Sequence, residues 1–222
     1  MIPSKVVLIT GSSRGIGKAI SDAFTWYEDY VIIDTYNNNP NKYGIKLDLN
    51  DIEDIKECID LIIEEYGRID ILINNAGIAQ RKDFLDITED DYDTMLDTNL
   101  KGTFFLTQAV IRQMLLQGSG NIINIASIGG QTGGMNQVHY ALSKAGIINL
   151  TKSVCNLYKD KNIVCNCIAP SLIETDMNKD LTTTEKSGTV GDVANLVLFL
   201  ADEKSNHING ATINLNGGTY YG

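Results

Sequence analysis

The sequence has few of the residues from which metal, redox and membrane sites are usually built. It contains two histidines and four cysteines, and none of these six residues has the spacing of a zinc site. No stretch approaches the ~18 consecutive apolar residues of a membrane-spanning helix. Residues 1–5 lead directly into a strand-like segment instead of a signal peptide. We therefore expect a reduced, cytoplasmic protein with no metal site and no membrane contact.

The chain also lacks a cluster of lysine and arginine, and its net charge is −10. This charge balance argues against nucleic acid or an anionic membrane as a partner. Acidic residues concentrate between Asp83 and Asp97, but their spacing matches no calcium loop, which needs a glycine at position 6 and a glutamate at position 12. We interpret it as the solvated N-terminus of a helix, where the helix dipole favours negative charge.

What the sequence does contain is a regular alternation of short apolar runs and amphipathic stretches. Strand-like runs lie at residues 5–10, 30–34, 45–47, 69–73, 121–126, 162–168 and 211–215. Helical patterns lie between most of them, at residues 15–26, 52–66, 103–117, 138–158 and 190–201. This alternation predicts an α/β fold: one Rossmann-like domain over residues 1–222, with a doubly wound parallel sheet of about seven strands and helices on both faces. The polar segment 35–44 predicts a loop crossover instead of a helix.

A glycine-rich turn follows the first predicted strand and opens the first predicted helix. It reads Thr-Gly-Ser-Ser-Arg-Gly-Ile-Gly over residues 10–17. Glycines allow a tight turn and a close approach of the backbone to a pyrophosphate, and the free N–H groups of the helix start bind its charge. The turn does not have the pattern of an ATP-type phosphate loop. It predicts a dinucleotide site that includes Gly11, Ser13, Arg14, Gly15, Ile16 and Gly17.

Two charged residues bear on which dinucleotide would bind. Asp34 stands at the expected end of the second strand, where a carboxylate would accept hydrogen bonds from the adenosine ribose and repel a 2′-phosphate. The guanidinium of Arg14 could instead hold that phosphate. We weigh the acid more heavily and expect NAD(H) to be favoured over NADP(H).

Three side chains suited to carbonyl chemistry converge on the predicted cofactor edge of the sheet. Tyr140 and Lys144 stand four residues apart in a predicted helix and so share a face, and Ser127 follows the fifth predicted strand. The serine would hold a carbonyl oxygen, and the phenol would exchange a proton with it. An unperturbed tyrosine has a pKa near ~10, so the ammonium and an oxidised nicotinamide would have to favour its ionised form. The group predicts hydride transfer between a nicotinamide cofactor and the carbonyl or carbinol carbon of a small substrate.

These motifs, in this order, resemble the short-chain dehydrogenase/reductase family over essentially the whole chain. The glycine turn matches the TGxxxGIG motif of that family, and residues 74–77 match its NNAG motif. Its catalytic tetrad is matched by Asn99, Ser127, Tyr140 and Lys144. Residues 48–49 match its adenine contact, and residues 210–218 match its last strand. The pattern is most similar to that of 3-oxoacyl-[acyl-carrier-protein] reductases, notably at residues 173–177.

The resemblance implies a role for each matching residue. Tyr140 would be the general acid in reduction and the base in oxidation, and Ser127 would orient the substrate oxygen. Lys144 would hold the nicotinamide ribose and lower the pKa of Tyr140, while Asn99 would position a water that links Lys144 to solvent. Further cofactor contacts are implied for Asp48, Leu49, Asn75, Ala76, Gly77, Pro170, Ile173 and Thr175.

The chain departs from the family pattern in three places. Pro170 is followed by Ser171 where the family usually has glycine. The helix between the second and third strands is missing. The segment between Met177 and Val190 is shorter than the family pattern, and such a segment normally closes over the substrate.

The sequence leaves the substrate open between a carrier-bound 3-oxoacyl group and a sugar, polyol or other small alcohol. Carrier proteins are acidic, and the cations available to meet one are Arg112, Lys152, Lys159 and Lys161. A remote alternative is a protein that senses NAD(P) without turnover, although a sensor has no need of the phenol. An epimerase or dehydratase of the longer relatives would need more C-terminal chain.

Two predicted helices carry more apolar residues than packing on one sheet requires. Segments 103–117 and 138–158 are apolar around much of their circumference, whereas a helix that lies on a sheet needs one apolar stripe. In relatives of this fold these helices pair with their symmetry mates. We therefore expect a homodimer and favour a homotetramer with two-fold axes. The alternative is that both helices are buried within the monomer.

Overall fold

The computed structural model describes residues 4–39, 44–175 and 187–221. In these residues the chain forms the strands β1 Lys5–Ile9, β2 Tyr30–Tyr36, β3 Ile45–Lys46, β4 Ile71–Asn74, β5 Gly120–Ile125, β6 Ile163–Pro170 and β7 Thr212–Leu215. Its helices are α1 Gly15–Phe24, α2 Ile52–Tyr66, α3 Glu89–Leu96, α4 Thr103–Gln117, α5 Gly129–Thr132, α6 Val138–Tyr158 and α7 Val190–Ala201. A π-helical segment, Asp97–Gly102, joins α3 to α4.

These strands form one parallel sheet in the order β3-β2-β1-β4-β5-β6-β7. The chain first moves outward from β1 to β3 and then returns to place β4 on the other side of β1. The strand order therefore reverses between β1 and β4. In doubly wound sheets, ligands bind at the carboxyl ends of the strands beside such a reversal. The predicted fold class is confirmed.

Successive residues of the central strands pack on opposite faces of the sheet, because side chains alternate along a strand. Val6 and Leu8 of β1 join a core cluster that includes residues of α2 and α4. Val7 and Ile9 join a second cluster with residues of α1 and α7. Helices thus cover both faces, which explains why the strands are apolar along their whole length.

Capping residues set several helix boundaries. The Asp51 carboxylate accepts hydrogen bonds from two backbone N–H groups at the start of α2, and Gly67 ends that helix with φ 72°. Three acids of the run, Glu89, Asp90 and Asp91, form the first turn of α3, where Thr88 and Asp91 make a reciprocal capping box. The interpretation of this run as a helix N-terminus is confirmed.

The second strand is longer than the sequence pattern indicated. We expected it to end at Asp34, but Thr35 and Tyr36 continue it by pairing with Ile45 and Lys46 of β3. Residues 37–39 and 44 of the predicted crossover are not helical, and residues 40–43 lie outside the described residues. Asp34 therefore lies within β2 and not at its end.

The ends of the shortened segment after β6 lie side by side. The Glu174 backbone N–H donates to Gly188 O at 2.9 Å, and the Gly188 N–H donates to Leu172 O at 2.9 Å. Residues 176–186, in which the length difference falls, lie outside the described residues. Pro170 and Ser171 continue from β6 with backbone hydrogen bonds to neighbouring segments, so the missing glycine leaves this connection paired.

In the described ranges, no helix is both long enough and apolar enough to cross a membrane. All four cysteines are free thiols, and Cys58, Cys165 and Cys167 are buried. The cytoplasmic location stays a prediction.

Candidate active site

A cavity of about 330 Å³ opens at the carboxyl ends of β1, β4 and β5, beside the reversal of strand order. It brings together nearly all the residues that the sequence suggested for cofactor binding and catalysis. These are Gly11, Ser13, Arg14, Gly15, Ile16, Gly17, Asp48, Leu49, Asn75, Ala76, Gly77, Ser127, Tyr140, Lys144, Pro170, Ile173 and Thr175. The other two, Asn99 and Asp34, do not line the cavity.

The glycine-rich turn makes contacts that side chains would prevent. Gly11 has φ +65°, and a Cβ on Gly17 would lie 2.3 Å from Gly11 O. Gly15, with φ +56°, begins α1, and no side chain caps this helix start. The first N–H groups of α1 are therefore available to a phosphate oxygen.

Asn75 and Thr10 hold the turn against the end of β4. The Asn75 side-chain amide donates to Thr10 O at 2.9 Å and to Gly11 O at 3.1 Å. In return, the Thr10 hydroxyl accepts hydrogen bonds from the Asn75 and Ala76 N–H groups. This exchange ties two segments of the cavity wall that are 65 residues apart in the sequence.

The three predicted reactive side chains meet at one end of the cavity. Tyr140 and Lys144 lie on successive turns of α6, and Lys144 Nζ is 5.8 Å from the centre of the Tyr140 ring. Ser127 follows β5 and makes a side-chain hydrogen bond with Tyr140. Lys144 Nζ also donates to Ile125 O at 2.9 Å, which holds the ammonium at the end of β5.

Burial shifts the proton affinities of both side chains on α6. It raises the pKa of Tyr140 above its ordinary value, and the hydrogen bond with Ser127 opposes this rise. Burial lowers the pKa of Lys144 from an ordinary 10.5 to about 8. The protein alone therefore does not lower the pKa of the phenol as the resemblance implied, and Lys144 stays mostly protonated at neutral pH.

Asn99 lies behind the cavity wall, in the π-helical segment, and is 1 % exposed. Its side chain exchanges two hydrogen bonds with the backbone of Ile78, at 2.8 and 2.9 Å. A Cβ on Gly77 would lie 3.0 Å from Asn99 Oδ1 and 3.5 Å from Lys144 Nζ. The bare glycine backbone thus leaves room between the Asn99 amide and the ammonium. Such π-helical insertions are frequent at functional sites.

The prediction that Asp34 contacts the adenosine ribose needs a correction. Its carboxylate accepts a hydrogen bond at 3.0 Å from Ser21 of α1, so it points along the face of the sheet and not into the cavity. Side chains alternate along β2, and the strand continues beyond Asp34. The residues that line the adenosine end of the cavity instead belong to residues 35–39, with Arg14 opposite them.

Sequence reasoning missed a further set of lining residues. Most of them adjoin a residue that a motif had marked, and the three asparagines follow from the greater length of β2. The set is Thr10, Thr35, Tyr36, Asn37, Asn38, Asn39, Leu47, Ile78, Thr98, Ile125, Ala126 and Ser171.

Comparison with known proteins gives consistent matches. The family model described as short chain dehydrogenase matches residues 5–186. The chain is 38% identical to 3-oxoacyl-[acyl-carrier-protein] reductase FabG of Aquifex aeolicus, over 99% of this chain and 98% of the relative. It is 35% identical to the enzyme of the same name from Staphylococcus aureus, over 98% of both chains.

A solved structure shows the same architecture. The ligand-free aldohexose dehydrogenase of Thermoplasma acidophilum superposes with a TM-score of 0.88 at 29% sequence identity. The match covers 97% of this chain and 94% of that structure.

Replacing Lys144 with methionine tests the buried ammonium through stability. The unfolded chain holds this proton up to about pH 10.5 and the folded protein only up to about pH 8, so wild-type stability rises with pH in that window. Between about pH 8 and pH 10.5, we expect the free energy of unfolding of the wild type to rise by roughly 3 kcal/mol relative to that of Lys144→Met. Urea unfolding at a series of pH values measures the difference, and parallel curves for the two proteins would contradict it.

Proposed function

The chain belongs to the short-chain dehydrogenase family and is an NAD(P)-dependent oxidoreductase of CH–OH groups, and we propose that Ser127, Tyr140, Lys144 and Asn99 are its catalytic group. The meeting of the first three at the substrate end of one cavity is the observation that carries this proposal. A sensor of NAD(P) without turnover would not need a phenol that shares a hydrogen bond with a serine.

The cavity fits a dinucleotide on its own geometry. Gly11 and Gly15 adopt positive φ, and Gly17 has no room for a side chain, so the backbone can approach a pyrophosphate closely. Asp48 and Leu49 line the adenine end, and Pro170, Ile173 and Thr175 line the nicotinamide end. When bound there, the nicotinamide ring would supply or accept the hydride.

The side chains of the protein manage the proton and the orientation. Ser127 holds the substrate oxygen in place, and Tyr140 Oη gives a proton to that oxygen in reduction or takes it in oxidation. Lys144 supplies positive charge beneath the phenol and binds the nicotinamide ribose. Asn99 faces the space beside Gly77 and Lys144, where a water could carry the proton to solvent.

Substitution of Tyr140 with phenylalanine removes only the exchangeable proton. We expect kcat to fall by at least ~100-fold, the usual scale of general acid–base help, while the cofactor Kd stays near the wild-type value. A screen of carbonyls and alcohols by nicotinamide absorbance identifies the substrate for this measurement. Tyr158→Phe, the same change at the far end of α6, is the matched control. Near-wild-type turnover in Tyr140→Phe would refute the catalytic assignment.

A 3-oxoacyl thioester suits the substrate end of the cavity better than a sugar does. The cavity lining includes the apolar side chains of Ile78, Ala126 and Ile173, whereas a polyol would need several hydrogen-bonding side chains. The relatives named 3-oxoacyl-[acyl-carrier-protein] reductase support this choice. The structural likeness to an aldohexose dehydrogenase keeps a sugar as the second candidate. Comparing kcat/KM for a short 3-oxoacyl thioester and for an aldohexose separates the two.

The position of Asp34 removes the basis for an NAD(H) preference. Its carboxylate accepts a hydrogen bond from Ser21, and Arg14 is a cation that lines the cavity together with residues 35–39. A guanidinium pairs well with a phosphate, and side-chain amides from residues 37–39 can donate to it as well. We infer that the site accepts a 2′-phosphate and that NADP(H) is preferred, contrary to the sequence-based expectation.

Measurement of kcat/KM with both cofactors tests this inference. Wild-type protein should favour NADP(H), and Arg14→Gln should lose about 1.5–3 kcal/mol of that preference, the usual strength of a hydrogen bond to a charged group. Asp34→Asn should leave the ratio unchanged, because its side chain faces α1. The inference would be wrong if the wild-type protein prefers NAD(H) and Asp34→Asn weakens that preference, because the carboxylate would then contact the adenosine ribose.

Helices α4 and α6 present apolar side chains to solvent, which supports an assembly. Leu116 is 84 % exposed at the end of α4, and Leu157 is 70 % exposed near the end of α6. Phe104, Leu115 and Leu142 on the same two helices are each more than 40 % exposed. Since both helices bury one side against the sheet and expose apolar residues on the other, we infer that a second copy covers them in a homotetramer.

Light scattering at micromolar concentration tests the assembly. A homotetramer should give a mass near four times the 24.3 kDa monomer, and Leu157→Asp should lower it by placing a charge in the contact. Leu85→Asp alters a leucine that is even more exposed and belongs to neither helix, and it should leave the mass unchanged. A wild-type mass near 24.3 kDa would rule the assembly out.

A further inference from the structure

The segment Ile78–Lys82, here called the strap, joins three parts of the active-site wall. At its start, the Ile78 backbone holds both ends of the Asn99 side-chain amide. At its end, the Lys82 N–H donates to Asn136 O at 2.8 Å, four residues before Tyr140. The strap therefore spans from the residue that faces Lys144 to the segment that leads into the Tyr140 helix.

The centre of the strap is tied to α6 and α3 by one side chain. Gln80 Oε1 lies 2.8 Å from His139 Nε2, and Gln80 Nε2 donates to Asp91 Oδ1 at 2.7 Å. His139 is 1 % exposed and directly precedes Tyr140. Lys82 Nζ donates to Asp91 Oδ2 at 2.5 Å, so the same carboxylate anchors two strap residues.

The charge of Asp91 fixes the direction of every hydrogen bond in this chain. Hydrogen bonds from Lys82 and Thr88 hold the pKa of Asp91 below its ordinary value, so its carboxylate is ionised and only accepts. Gln80 must therefore turn its NH₂ group to Asp91 and its carbonyl oxygen to His139. His139 must then donate from Nε2, which leaves Nδ1 as the unprotonated nitrogen. Among the described residues, the buried Nδ1 has no hydrogen-bond partner.

We propose that Gln80 and His139 are positioning residues that hold Tyr140 in register with Asn99 and with the Ile78 wall of the substrate end. The proposal rests on the proposed function, in which Tyr140 and Asn99 act together. Neither residue touches the reacting atoms. Their hydrogen bond joins the first turn of α6 to the strap, and the Ile78 N–H of the strap donates a hydrogen bond to the Asn99 side chain. A displacement of about 1 Å at a catalytic group can cost ~100-fold in rate, so this tie affects turnover more than binding.

Two substitutions at His139 separate positioning from general stability. In His139→Gln, the side-chain amide NH₂ takes the place of Nε2 and can still donate to Gln80, whereas the shorter amide of His139→Asn reaches only the place of Nδ1. We expect His139→Asn and Gln80→Ala each to lower kcat by about 10- to 100-fold, with the cofactor Kd within about twofold of wild type. His139→Gln should recover most of the rate. The double variant Gln80→Ala/His139→Asn should be no slower than the worse single variant, because both remove the same contact.

Gln113→Ala provides the control for loss of a glutamine amide. Its side chain bonds to Gly67 O on the surface, away from the cavity, and all kinetic constants should stay at the wild-type values. The proposal is overturned if His139→Asn and Gln80→Ala keep the wild-type kcat. It is also overturned if His139→Gln is as slow as His139→Asn, since that would indicate packing rather than the Nε2 hydrogen bond.

NMR spectroscopy tests the hydrogen bond between His139 and Gln80 without any measurement of turnover. The chain has only two histidines, so the ¹⁵N ring signals of His139 are assigned by comparison with a His207→Gln variant. We expect the Nε2–H form in wild type, and a shifted Nε2–H signal in Gln80→Ala because the acceptor of this hydrogen bond is removed. An Nδ1–H form in wild type would overturn the proposal. If the wild-type protein transfers no hydride to any carbonyl, the proposed function fails, while the ring signals still show whether the network exists.

Discussion

The close approach of the glycine turn to the end of β4 is the contact on which the rest of the site depends. Thr10 and Gly11 offer their carbonyl oxygens to the Asn75 amide, and a Cβ on Gly17 would collide with Gly11 O and with that same amide. The floor of the cavity and the start of α1 are therefore one hydrogen-bonded unit. A phosphate at the helix start and a nicotinamide above β4 can then be held at a fixed separation, because little in this unit can move independently.

A second constraint is the burial of Lys144, and it acts against stability. Its ammonium is taken out of water and hydrogen-bonded to Ile125 O, and burial brings its pKa to about 8. Lys144 fits because two neighbouring residues have no side chain. Gly77 leaves room beside Nζ, and a Cβ on Gly130 would lie 2.7 Å from the Lys144 backbone. Active sites commonly retain such costly groups, because the reaction uses their charge and their shifted pKa.

The sequence was sufficient for the fold class and for most of the cavity because both are encoded locally. The glycine turn lies between a strand and a helix, and Tyr140 and Lys144 share a helix face at any plausible boundary of α6. The end of β2 is different, because it depends on pairing with two residues of β3 that no local pattern marks. Because β2 continues past Asp34, this residue lies within the strand, where its carboxylate meets Ser21 of α1. This is why Asp34 was misplaced while Arg14, in the glycine turn, was not.

The strap shows a kind of information that no motif carries. Asp91 belongs to a capping box, Gln80 to an irregular segment and His139 to the start of α6, and each has an ordinary local explanation. Only their meeting in three dimensions gives them a common role. An ionised carboxylate accepts from an amide, the amide must then accept from an imidazole, and the imidazole is adjacent to the reactive phenol. The helix that begins with negative charge at its N-terminus thereby orients a side chain two contacts away. The Asp91 carboxylate that caps α3 therefore also helps to set the position of Tyr140, through Gln80 and His139.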